Sequence, residues 1–77
     1  MAYNQSDTDF LLQLGKRIRY LRESRSWSQE DFAVKCDLHR TYIGAIERGE
    51  RNVAVLNLRK IALALEIPLA QLFMLEG

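Results

Sequence analysis

Few side chains in this chain are reactive, and most that could do chemistry are cationic. Cys36 and His39 form a Cys-x-x-His pair. A structural zinc takes four such ligands, and no second pair follows. Neither residue is therefore expected to bind metal, and Cys36 reads as a small core residue. There is no glycine-rich phosphate loop, and no pair of carboxylates accompanies the single histidine. These features point away from an enzyme and imply no metal and no cofactor. The cations are more informative. Lys16, Arg17, Arg19, Arg22 and Arg25 stand against one acid, Glu23, within ten residues, and Arg40, Arg48 and Arg51 follow. Net charge is only +1, but clustering matters more than the sum where a polyanion is the partner. A solvated helix face is the other reading of the run at 16–25.

The elements that must position these cations centre on residues 28 to 49. Ser28 is a helix N-cap, and Asp31 sits where a capping-box carboxylate belongs, beside Glu30 at the positive end of the helix dipole. Phe32, Ala33 and Cys36 share one apolar face of this helix. Asp37-Leu38 makes a turn, with Leu38 plugging the core beneath it. A further helix then runs from about Arg40 to Arg48 and stops at Gly49. Its inward residues are Tyr42, Ile43 and Ile46. At 100° per residue, Thr41, Gly44, Ala45 and Arg48 point outward, with Arg40 at the margin. A mid-helix glycine costs about 1 kcal/mol against alanine, so Gly44 is explained if another surface approaches the backbone closely. Drift on an exposed helix is the alternative. Of these two short helices, the second turns a nearly bare face outward, as a helix lying in the major groove of DNA requires.

The rest of the chain supplies support. A first helix is expected over Thr8 to Ser24, with Phe10, Leu11, Leu14, Ile18 and Leu21 as its stripe, and Trp27 fills the core at the bend that follows. Residues 49–54 read as a polar loop. A fourth helix spans Val55 to Leu65, burying Leu58, Ile61, Ala62 and Leu65, and Pro68 opens a short fifth helix ending near Met74. The fold class is all-α with five helices: residues 1–7 form a flexible arm, and 8–77 form one domain. A chain of 77 residues buries only about 60% of its unfolded surface, so association would help it. Leu56, Leu63, Ile67, Leu69, Phe73, Met74 and Leu75 exceed what one small core needs. They pack within the monomer or, as favoured here, form a twofold interface. One cysteine excludes an internal disulfide, and the polar start lacks a signal-peptide pattern. No apolar run could span a membrane. A cytoplasmic, nucleoid-associated location is expected.

The stretch from Ser28 to Gly49 resembles the helix-turn-helix of the Xre, or lambda-repressor-like, family of phage and bacterial regulators. The matching residues are Gln29, Ala33, Ile43, Ile46-Glu47-Arg48-Gly49 and Ile61-Ala62-Leu63-Ala64-Leu65. His39-Arg40-Thr41-Tyr42-Ile43 and the segment from Ile46 to Asn52 are similar to the controller proteins of restriction–modification systems, whereas Gly44-Ala45 departs from them. The resemblance covers residues 10 to 74. It implies a homodimeric transcription regulator on an inverted-repeat operator in double-stranded DNA. Arg40, Thr41, Gly44 and Ala45 would face bases. Gln29, His39, Arg48, Arg51 and Asn52 would face phosphates, with His39 also capping the recognition helix. It further implies a buried Arg22–Glu47 pair, and Leu69, Phe73 and Met74 would supply the dimer contact. An antitoxin or phage-type repressor of its own operon, with a toxin as partner, is a second reading within the family, and contact with RNA polymerase is a further partner consistent with it. A protein-interaction module that has lost DNA binding is the rival of another class.

Overall fold

The computed structural model describes residues 2–75. Four α-helices lie among them: α1 (Gln5–Glu23), α2 (Gln29–Cys36), α3 (Arg40–Glu47) and α4 (Val55–Leu65). A single 3₁₀ turn, Leu69–Phe73, follows. The expected fifth α-helix is this turn. It is held by i→i+3 bonds, Gln71 N–H to Pro68 O at 3.0 Å and Met74 N–H to Gln71 O at 3.4 Å. Five residues are too few to offset the cost of nucleating an α-helix, and the tighter winding suits such short pieces.

The helix ends follow from local chemistry. At α2, Ser28 Oγ accepts from Asp31 N–H at 3.0 Å, and Asp31 Oδ2 accepts from Ser28 N–H at 3.2 Å. Hydrogen bonding to Ser28 holds the Asp31 carboxyl below its ordinary range. The same device, made by Asn4 and Asp7, opens α1. It starts the helix at Gln5 rather than Thr8, so residues 5–7, assigned to a flexible arm, form the first turn. Met1 lies outside the described residues. Asp37 ends α2 and Glu66 ends α4 in the left-handed region, each at φ 57°. Past α3, Gly49 takes φ 75° while Glu50 N–H reaches back to Ala45 O at 2.9 Å. That conformation favours glycine.

Ile18, Phe32, Ile43, Ile46, Ile61, Leu65 and Leu72 are fully buried. They join all four helices and the 3₁₀ turn into one core. Phe10, expected in the α1 stripe, is instead half exposed and stacks on Phe73, with ring centroids 6.3 Å apart. Trp27 and Leu38 flank the core. At Gly15 α1 comes close to the backbone of α3: a methyl group there would lie 2.5 Å from Ile46 O and 2.6 Å from Glu47 O. The end of α3 is thus pressed backbone-to-backbone against α1, which fixes where its outer side chains stand.

Candidate nucleic-acid interface

Arg22 and Glu47 tie α1 to α3. Arg22 Nε donates to Glu47 Oε2 at 2.7 Å and Nη2 to Oε1 at 2.9 Å, while Nη1 donates to Trp27 O at 2.8 Å. Both side chains are buried, and the hydrogen bond with Glu47 raises the Arg22 pKa above its already high value. Glu47 Oε1 also accepts from Gln29 Nε2 at 3.0 Å. Gln29 stands at the first position of α2, where free N–H groups and the helix dipole favour an anion. Its amide therefore gives one hydrogen to the buried carboxylate and keeps a second for another acceptor.

On α3 the exposed residues are Arg40 and Thr41, and Arg48, its C-cap residue, is exposed just beyond. Arg40, Gly44 and Arg48 follow one another at intervals of four, so they form a line along the helix. Gly44 lies in that line but is not bare. Arg48 and Gln29 cover it, and a methyl group on Gly44 would lie 3.1 Å from Arg48 Nη1 and 3.5 Å from Gln29 Oε1. Ala45, expected to point outward, is 6% exposed. The outer face is narrower than a helical wheel suggests because α1, α2 and the returning chain enclose α3 on a wide arc. In this conformation Ala45 offers little surface to a partner, and Gly44 is covered by Arg48 and Gln29.

His39 is the N-cap residue of α3 by position but makes no side-chain capping bond. It is exposed, as are Arg51 and Asn52. Arg40 Nε lies 3.9 Å from Glu30 Oε1. Arg48 forks onto Glu50, Nε to Oε2 at 2.9 Å and Nη2 to Oε1 at 3.2 Å. Tyr42, taken as an inward residue, is half-buried, and its hydroxyl accepts from Asn57 Nδ2 at 3.1 Å, linking α3 to α4.

Several cations of the run at 16–25 also fasten the fold. Arg17 Nε donates to Gln71 O at 3.0 Å. Arg25 donates to Leu21 O and Leu65 O, both at 2.8 Å, joining the ends of α1 and α4. Arg19 pairs with Glu23, and Arg22 is buried. Cys36 is buried, and desolvation pushes its thiol from 9.0 to about 12.

The helix-turn-helix family profile HTH_3 matches residues 18–72. The control protein C.MunI of a Mycoplasma species is 44% identical over 66 residues, covering 84% of this chain and 89% of that protein. The restriction–modification controller protein C.AhdI from Aeromonas hydrophila has a similar structure, with a TM-score of 0.81 and 44% identity over 82% of this chain and 96% of that one. The controller C.Esp1396I, solved as a tetramer with its natural 35-base-pair operator, matches with a TM-score of 0.76 and 36% identity over 83% of this chain and 84% of that one. By profile, sequence and structure together, the chain belongs to the HTH_3 helix-turn-helix family, in the pattern of the restriction–modification controller proteins.

Proposed function

We propose that this chain is a transcription regulator that binds an inverted-repeat operator in double-stranded DNA as a homodimer. The observation that carries this reading is the line of Arg40, Thr41 and Arg48 along α3, held by the Arg22–Glu47–Gln29 network. Arg40 and Thr41 are the exposed positions of α3 among the described residues, with Arg48 just beyond, and a helix presenting arginine and threonine there fits the major groove. The relative bound to its own operator supports it. Arg40 and Thr41 read bases; arginine pairs bidentately with guanine, and the threonine methyl meets thymine. Gln29, His39, Arg48, Arg51 and Asn52 hold the phosphates. Gly44 serves by letting Gln29 and Arg48 lie across the helix.

A dimer is proposed because one domain of this size reads too few base pairs to select a site. Phe73 and Met74 are 40% and 64% exposed, and Leu56 and Leu63 on α4 are more than 60% exposed. Leu69 packs partly on the core and contributes its remaining edge. Control of a restriction–modification operon is the assignment the relatives favour.

Arg40→Ala and Arg51→Ala test the division of labour. Arg40→Ala is expected to weaken cognate binding by about 1–3 kcal/mol and random duplex much less. Arg51→Ala is expected to weaken both alike and to lower the salt slope by about one. Equal losses at cognate and random sites for Arg40→Ala would turn Arg40 into a phosphate contact.

A further inference from the structure

Glu50, like Glu30 beside Arg40, is an acid on a surface assigned to a polyanion. It follows Gly49 directly and is anchored by its backbone bond to Ala45. Its two carboxylate oxygens engage two separate nitrogens of Arg48, at 2.9 and 3.2 Å. A phosphate would use the same fork, since bidentate arginine recognition of carboxylate and phosphate has one geometry. Arg48 and then Arg51 both favour the charged form of Glu50, so it lies beside two of the cations proposed to face DNA. Both members of the pair are more than half exposed, so the pair is weak and exchangeable.

We propose that Glu50 is an internal competitor for DNA phosphate: it holds Arg48 in the free protein, is displaced by the duplex backbone, and thereby lowers affinity for DNA. Arg48 lies over Gly44 beside Gln29 in this held state. Release of the guanidinium is therefore coupled to opening the line of α3 that approaches the groove. The inference rests on the DNA-binding reading, and it assigns to Glu50 a role opposite in sign to that of the arginines around it.

Fluorescence anisotropy with a labelled 20-base-pair duplex of arbitrary sequence (a length of about two helical turns) tests it at low salt. The proteins compared are wild type, Glu50→Gln, Arg48→Ala and the double variant. Glu50→Gln is expected to tighten binding roughly two- to five-fold, the range of an exposed ion pair. In the Arg48→Ala background the same change is expected to have less than half that effect, because the competitor then has nothing to release. An equal gain in both backgrounds means that Glu50 acts only by general repulsion, and it overturns the proposal. So does a Glu50→Gln affinity equal to that of wild type. A wild-type chain that binds no duplex overturns the DNA-binding reading itself, and this proposal with it.

Discussion

Replacing Gly15 by alanine opposes two effects whose sizes can be compared. Helix propensity favours alanine over glycine inside α1 by about 1 kcal/mol. Packing opposes it. The new methyl would lie 2.5 Å from Ile46 O, 2.6 Å from Glu47 O and 2.9 Å from Glu47 C. All three are backbone atoms at the end of α3, so no side-chain rotation relieves the contact. The two helices must separate by about an ångström to reach ordinary van der Waals distance. Overpacking of a tight core costs about 1–3 kcal/mol and occasionally more, and here rigid backbone takes the strain. Because backbone takes the strain, the cost falls at the top of that range, and about 3 less about 1 leaves a net loss of about 2 kcal/mol or more, or roughly 8–16 °C in Tm for a domain of this size. Gly44→Ala provides the control. Its methyl meets only the mobile ends of Arg48 and Gln29, at 3.1 and 3.5 Å, so propensity wins and stability rises by up to about 1 kcal/mol. Thermal and urea unfolding followed by circular dichroism measure both. A Gly15→Ala protein as stable as wild type would refute the close crossing of α1 and α3, and with it the account of what holds Glu47 and Arg48 in place.

Three further outcomes follow from particular contacts. Arg22→Met leaves Glu47 buried without its partner and should cost about 3–5 kcal/mol; Arg22→Met with Glu47→Leu should recover much of the loss in urea unfolding, and no recovery would show that the charges themselves hold the helices together. Cys36 should resist thiol reagents at pH 8 until the protein unfolds. Its folded pKa lies above the unfolded value, so its contribution to stability is complete below about pH 9 and is lost as pH rises toward 12; a Cys36→Ala chain should show a flatter alkaline stability profile, and an identical profile would contradict the burial argument. Phe73→Asp should give a monomer in sedimentation at tens of micromolar, a concentration corresponding to about −6 kcal/mol of association, whereas a variant that still dimerises would move the interface away from Phe73.

What was legible in the sequence was local. The Ser28–Asp31 box, the glycine stop at Gly49 and the bounds of α4 each depend on a few neighbouring residues, and each is found as read. The Asn4–Asp7 box is as local, but it precedes the apolar stripe of α1, so periodicity does not point to it. The missed features are tertiary. A wheel drawn for α3 places Ala45 outside, but the arc that is buried depends on where α1 and the chain after Gly49 cross it. The bonds from Arg17 to Gln71 O and from Arg25 to Leu65 O join segments far apart in the sequence, so no local pattern shows them. Glu50 could have been noticed, since an acid two residues after Arg48 is within reach of its guanidinium. Leu72 carried no signal, because a five-residue turn has too little periodicity to reveal its one buried position.

The central claim is that α3 reads DNA from a twofold dimer. Selection of bound duplexes from a pool with a randomised central segment, followed by sequencing, tests it most directly. The selected duplexes should carry an inverted repeat whose half-site centres lie about one helical turn apart, roughly 10–10.5 base pairs, with a guanine in each half-site that loses enrichment when Arg40 is alanine. Enrichment of no sequence, or of a single unrepeated site unchanged by Arg40→Ala, would contradict it.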